Sequence, residues 1–286
     1  MDSSTLRYLN RCPVGCSSEL EVTRYILPEG ALLRCSECGQ LISQCTSTDY
    51  WQSMQEFDDP KGTLPVAGSE QRSFRRGKGF LGRISKLLNE APSQIRLLDV
   101  GCSSGAFLNT AVSLGFPAEG IEPAPKAAAA ALASGLNVRQ GFLQEAGYAD
   151  GQFDAATLFE VIEHLQQPLA LLQEAHRILR PGGILLIGTG NADSWSMAAL
   201  GERWEYLNIA KHGGHVSFFT PSSITALAKS SGFSVVAVHT RRVRFYEKGD
   251  CAMPLYRIAK LIGELLNGFA VLFDKGHDMA VYLKKD

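Results

Sequence analysis

The chain has almost no net charge: 28 Lys and Arg stand against 29 Asp and Glu. No global field draws it to nucleic acid. It also lacks any apolar run of the ~20 residues that span a bilayer. Its most apolar late stretch, residues 255–273, is interrupted by Arg257, Lys260 and Glu264. That pattern predicts an amphipathic helix with a peripheral lipid contact, not a span. The first residues lack the charged-then-apolar order of a secretory signal, so a cytoplasmic location is expected. Cysteine is scarce after residue 45: five of the seven precede that point. The 286 residues suffice for one sizeable core plus a small appendage.

The early cysteines are patterned. Cys12 and Cys16 form C-x3-C, and Cys35 and Cys38 form C-x2-C after 18 intervening residues. Two such knuckles suit a tetrahedral structural zinc site, with Gly15 and Gly39 turning the chain to present the sulfurs. Cys45 is a substitute ligand, and paired disulfides are the rival, disfavoured in a reducing compartment. These features predict a zinc-ribbon-like module over residues 1–57. Residues 58–68 hold Pro60, Gly62, Pro65 and Gly68, a breaker-rich linker, and a lead-in helix follows to residue 90. That helix carries Arg72, Arg75, Arg76, Lys78 and Arg83 among Phe74 and Phe80. Such a run grips RNA or an anionic lipid headgroup in some proteins, but is read here as a solvated face at a domain boundary.

Residues 97–108, LLDVGCSSGAFL, read as a buried strand, a glycine turn and a helix start. A turn of this kind brings backbone N–H groups and a helix N-terminus close to a nucleotide-like ligand. The spacing is not G-x-G-x-x-G, because Ala106 stands where the third glycine is needed, so no pyrophosphate cradle is spelled. Glu122 ends the next predicted strand, residues 118–122. A carboxylate about 20 positions beyond the turn suits a ribose diol. Residues 153–159 and 184–187 read as further buried strands, with a helix over 169–179 and a strong break at Pro181-Gly182-Gly183.

With Asp99, Gly101 and Gly105 in place, the turn resembles the first motif of class I S-adenosylmethionine-dependent methyltransferases. Ser103 replaces the usual middle glycine. The long segment GQFDAATLFEVIEHLQQPLALLQEAHRILRPGGILLIGTGN strengthens the likeness. Phe153-Asp154, Glu160 with Glu163-His164, and Arg177 through Pro181-Gly182-Gly183 resemble the small-molecule methyltransferases related to the ubiquinone-pathway O-methyltransferases. The resemblance covers residues 95–233. A cysteine-rich module ahead of such a domain is similar to some antibiotic-sugar and polysaccharide methyltransferases.

The resemblance implies a Rossmann-like α/β fold: a seven-strand doubly wound sheet over residues 91–286. Residues 235–239 supply the sixth strand and residues 277–283 a last, antiparallel one. It implies S-adenosylmethionine as the methyl donor, with Asp99, Gly101, Cys102, Gly105, Glu122, Phe142, Leu143, Phe159 and Glu160 around it. An insertion over residues 191–219, holding Trp195, Trp204 and Tyr206, is expected to face a small-molecule acceptor: a sugar, a quinone-like ring or a lipid-linked intermediate. Whether these aromatics line that pocket or pack the insertion is left open by the residues alone. His215, just before Phe218-Phe219-Thr220, is implied at the active-site mouth. His164 and His215 are the candidate bases, since imidazole titrates near neutrality. If residues 160–164 are helical, Glu160, Glu163 and His164 share a face. That trio would bind a divalent ion, as the resemblance suggests, or brace the donor pocket. An RNA methyltransferase and a non-catalytic scaffold are the rival readings. The near-neutral charge opposes the first, and the intact donor motif opposes the second.

Overall fold

Strands that are buried on both faces organise the chain. The computed structural model describes residues 6–57, 69–209, 214–246, 249 and 251–286, and the side chains of 55–57 and 69–73 lie outside that description. The linker 58–68, the Arg72 side chain and residues 211–213 therefore fall outside it as well.

Strands β1 (Leu20–Leu27), β2 (Gly30–Cys35) and β3 (Leu41–Ile42) form an antiparallel N-terminal sheet, followed by helix α1 (Ser47–Phe57) and the lead-in helix α2 (Ser69–Leu88). The main domain then alternates strand and helix: β4 (Leu97–Val100), α3 (Ala106–Ser113), β5 (Ala118–Glu122), α4 (Pro125–Ala133), β6 (Val138–Gln140), β7 (Phe153–Phe159), α5 (Pro168–Ile178) and β8 (Leu179–Gly190). After α6 (Trp195–Leu200) come β9 (Ser217–Phe218), α7 (Pro221–Ser230), β10 (Phe233–Arg241), α8 (Met253–Leu272) and β11 (Asp278–Lys285).

The main sheet has seven strands in the order β10-β11-β8-β7-β4-β5-β6. The pairs β8–β7, β7–β4, β4–β5 and β5–β6 are parallel, and β11 inserts antiparallel between β10 and β8. Such strands read as continuous apolar runs because helices cover both faces. One face packs Leu98, Leu158 and Ile187 with Leu171 and Leu172 of α5 and Ile224 and Leu227 of α7. The other packs Leu97, Ala155 and Leu186 with Leu81 and Ile84 of α2 and Ala111 of α3. The chain winds outward from β4 to β6 and then returns to β7. The C-terminal ends of β4 and β7 therefore flank the crevice where doubly wound sheets hold ligands.

Two expectations change. Pro181-Gly182-Gly183 does not end a segment; it lies inside β8. Leu179 pairs with Phe153 and Ile184 with Ala155, so residues 180–183 bulge out while the strand continues. Gly182 takes φ +75°, and Arg180 anchors the excursion to Asp154 at 2.7 Å and Glu90 at 2.7 Å. The cysteine module is also not a separate bead. Its sheet takes its fourth strand, β9, from the main domain, through Leu41 opposite Phe218 and Ile42 opposite Ser217. Cys12, Val14, Cys35 and Cys38 share a core cluster with α5 and α7.

Candidate active site

The turn after β4 is built by left-handed residues. Gly101 and Gly105 take φ +70° and +85°, and Ser103 takes +49°. Ser103 thus adopts the conformation that a glycine supplies more easily. It is held there by Glu122: the Ser103 amide donates to Glu122 Oε2 at 2.8 Å, and the Ala124 amide donates to Oε1 at 2.8 Å. Each carboxylate oxygen thus accepts one backbone amide, which fixes the side chain beside the turn. Gly101 has a second reason to be glycine. A Cβ there would sit 2.6 Å from Val161 Cγ2, so the turn after β7 closes against it.

The residues expected around the donor divide. Asp99 is buried and accepts from the Thr157 hydroxyl at 2.6 Å; burial pushes its carboxyl up to about 7. That bond ties the end of β4 to β7. Cys102 packs its thiol among Leu108, Ala128 and Leu136, leaving only its backbone for the turn. Leu143 is buried in the core, whereas Phe142 beside it is exposed. Phe159 sits between Phe80 of α2 and Phe107 of α3, with centroids 5.2 and 4.6 Å away, which fastens the lead-in helix over this edge.

Beyond β7 the expected helical face is absent. Glu160 takes φ +53°, and only Ile162–His164 forms a 3-10 turn. The left-handed residue breaks the helical phase, so His164 does not join the two carboxylates. His215 does. Ligand atoms of Glu160, Glu163 and His215 lie within 4.8 Å of one another. His164 stands behind, its ring edge-on to His215 at 4.7 Å. His215 is 3 % exposed, buried and not at the mouth, and it stacks on Tyr206 at 5.7 Å. Its Nδ1 lies 3.1 Å from the Tyr206 carbonyl. A carbonyl only accepts, so Nδ1 donates in that contact.

Glu163 is buried and accepts from the Thr189 hydroxyl at 2.8 Å through Oε1; its Oε2 is buried without a hydrogen bond. Glu160 accepts from the Tyr206 hydroxyl at 3.3 Å. Burial raises the Glu163 carboxyl; Glu160 is exposed at its surface, but crowding by neighbouring groups and the adjacent Glu163 charge raise its carboxyl as well. Thr157, Thr189 and Asp278, which also accepts from Tyr206 at 3.3 Å, were not expected from the sequence. A threonine in the middle of an apolar strand run was the available signal, since a buried hydroxyl needs a partner. Trp204 is 1 % exposed among Leu27, Leu32, Met197 and Leu200, so it packs the insertion.

At the N-terminus, the sulfurs of Cys12, Cys16, Cys35 and Cys38 lie within 4.8 Å of one another, Cys12 and Cys38 at 3.6 Å. Thiolates about 2.3 Å from a tetrahedral zinc stand about 3.8 Å apart, so the set fits that ion. Each knuckle is closed by a turn: the Gly15 amide donates to the Cys12 carbonyl at 3.1 Å and the Gly39 amide to the Cys35 carbonyl at 3.0 Å. Cys45 is buried outside the set.

Known proteins resemble this chain in sequence and in fold. The methyltransferase-domain family profile matches residues 72–238. A ubiquinone biosynthesis O-methyltransferase of Ruegeria pomeroyi is 33 % identical over 188 residues, covering 61 % of this chain and 69 % of that protein. One of Cereibacter sphaeroides is 32 % identical over 152 residues, covering 50 % of this chain but only 61 % of the relative's length. Among solved structures, a SAM-dependent methyltransferase of Archaeoglobus fulgidus aligns with a TM-score of 0.51 at 18 % identity, over 73 % of this chain and 94 % of that one. A possible histamine N-methyltransferase of Thermotoga maritima aligns with a TM-score of 0.51 at 21 % identity, over 83 % and 100 %. The chain belongs to the methyltransferase-domain family, and its fold is that of the S-adenosylmethionine-dependent methyltransferases.

Proposed function

We propose that this chain transfers a methyl group from S-adenosylmethionine to a hydroxyl of a small-molecule acceptor. The observation that carries the reading is the convergence of Glu160, Glu163 and His215 at the ligand-bearing edge of the sheet, beside the donor turn. Bound S-adenosylmethionine supplies an electrophilic methyl on a sulfonium. The turn at 101–105 and Glu122 hold the donor's nucleoside, with the exposed Phe142 ring next to them. The remaining work is alignment and removal of one proton from the acceptor hydroxyl. His215, brought beside the two carboxylates, is assigned that task. Glu163 keeps a buried oxygen without a hydrogen bond, which also fits a divalent ion held by Glu160, Glu163 and His215. Such an ion would acidify a coordinated hydroxyl.

The RNA reading loses support. Arg75 and Lys78 are exposed, but Arg76 turns toward Phe80, 5.8 Å from its ring centroid, so the basic run does not present one face. The four-cysteine set is assigned to structural zinc, which needs reduced thiols and so suits a reducing compartment such as the cytoplasm.

A labelled-donor screen against metabolite extracts and total RNA tests the reading. Label is expected in a small molecule. In His215→Ala, turnover is expected to fall about 100-fold or more while donor affinity holds. Label in RNA alone, or unchanged turnover in His215→Ala, would refute it.

A further inference from the structure

Ten of the nineteen exposed large apolar side chains among the described residues lie between residues 253 and 273. They belong to α8 and the residue after it. Ile258, Ile262, Leu265, Phe269 and Leu272 recur every three or four positions, and Leu255 and Leu261 flank them, giving one continuous band. Leu265 is 70 % exposed and Leu272 74 %. The helix buries only Ala259, Gly263 and Ala270. A Cβ at Gly263 would collide with the Val243 carbonyl, so this small-residue side is fixed against the β10 exit. Asn267 Oδ1 accepts from the Arg242 amide at 2.7 Å and pins the rotation. The apolar band is thus held outward by the fold, and a contiguous exposed apolar patch marks an interaction site.

We infer that α8 is a bilayer-docking element that lies in the interface of an anionic membrane. Three observations favour a lipid surface over other occupants. The margins carry interfacial chemistry: Arg257 and Lys260 are exposed beside the band. A cavity of about 470 Å³ next to it is lined by Arg242, Arg244, Lys260, Tyr246 and Tyr256 together with Glu264, which pairs with Lys260 at 3.8 Å; the cations outnumber the one carboxylate there, and tyrosines and cations suit an interface. Finally, its far end is tied to the reaction edge. Asn191, after β8, donates to the Asp274 and Gly276 carbonyls at 2.9 Å each. Docking therefore turns the acceptor side toward lipid. On the methyl-transfer reading above, the acceptor is amphiphilic and membrane-borne.

Flotation of the full chain with vesicles tests this. Strong binding is expected to vesicles of phosphatidylcholine mixed with phosphatidylglycerol, and weak binding to phosphatidylcholine alone. Leu261→Gln with Leu265→Gln is expected to reduce binding at least tenfold, and Arg257→Gln with Lys260→Gln to remove the preference for the anionic lipid. All four side chains are exposed, so circular dichroism and donor affinity should match the parent. A parent chain that stays unbound overturns the inference. So does a dimer in light scattering that the leucine pair dissolves without any vesicle binding, which would make the band a contact between two copies. Docking is read without an acceptor, so it stands or falls separately from methyl transfer.

Discussion

Replacing Glu122 disturbs two things at once, and the structure separates their sizes. Its carboxylate accepts from the Ser103 and Ala124 amides at 2.8 Å each. Hydrogen bonds to a charged acceptor contribute about 1.5–3 kcal/mol each, with incomplete additivity. Glu122→Ala is therefore expected to cost about 2–4 kcal/mol of fold stability, because it also frees Ser103 from its left-handed conformation. Glu122→Gln keeps one acceptor oxygen and places an NH2 against the other amide, so it should cost about half as much. Both substitutions remove the charged acceptor for the ribose diol. Donor affinity should fall by about 1–3 kcal/mol, a five- to 150-fold rise in Kd. Urea denaturation measures the first quantity and titration calorimetry with S-adenosylmethionine the second. The Gln variant decides the matter, since it is the milder one for the fold. If it folds and binds the donor with the parental Kd, Glu122 serves only to brace the turn, and the placement of the donor here is wrong.

Metal analysis should find about one zinc per chain, and Cys35→Ser should lose it; a metal-free parent with four free thiols refutes the site. Removing that zinc with a chelator should lower turnover more than donor affinity, checked by parallel kinetics and calorimetry. Asp99 gives a pH signature. Its folded carboxyl lies near 7, above its unfolded value near 4, so the folded state binds the extra proton between these limits. Stability should therefore decline as pH rises from about 4 to 7, by an amount of order 4 kcal/mol at most. Asp99→Asn should flatten that part of the stability profile, and an unchanged slope would count against a buried, strained carboxylate.

The strands and the turn of the first half of the domain were legible because they are local. Leu97–Val100, Ala118–Glu122 and Phe153–Phe159 are mostly buried strands, and the glycine turn and Glu122 sit at the ends of the first two within one short stretch of chain. The reading failed where the backbone left its expected period. Pro181-Gly182-Gly183 looked like a stop, but the strand resumes in register because Arg180 ties the bulge to Asp154 and Glu90. Glu160, Glu163 and His164 looked like one helical face, but a left-handed Glu160 turns the first carboxylate out of phase. His215 was a candidate base from the resemblance, but no local pattern pairs it with the two carboxylates in place of His164.

That imidazole arrives through the cysteine module. The Val216 amide donates to the Glu163 carbonyl at 3.0 Å, and the Ser43 amide donates to the Val216 carbonyl at 2.9 Å. The residue after His215 is therefore clamped between the turn that carries Glu163 and the sheet that carries Cys35. The next two residues, Ser217 and Phe218, pair with Ile42 and Leu41. A module that only decorated the enzyme would have no reason to complete its sheet with a strand adjoining a candidate base. This connection is why chelation is expected to act on turnover: loosening the knuckles frees β3, then β9, then His215. The turn after β4, where the donor is proposed to bind, is held by Glu122 through the Ser103 amide, so donor affinity should survive.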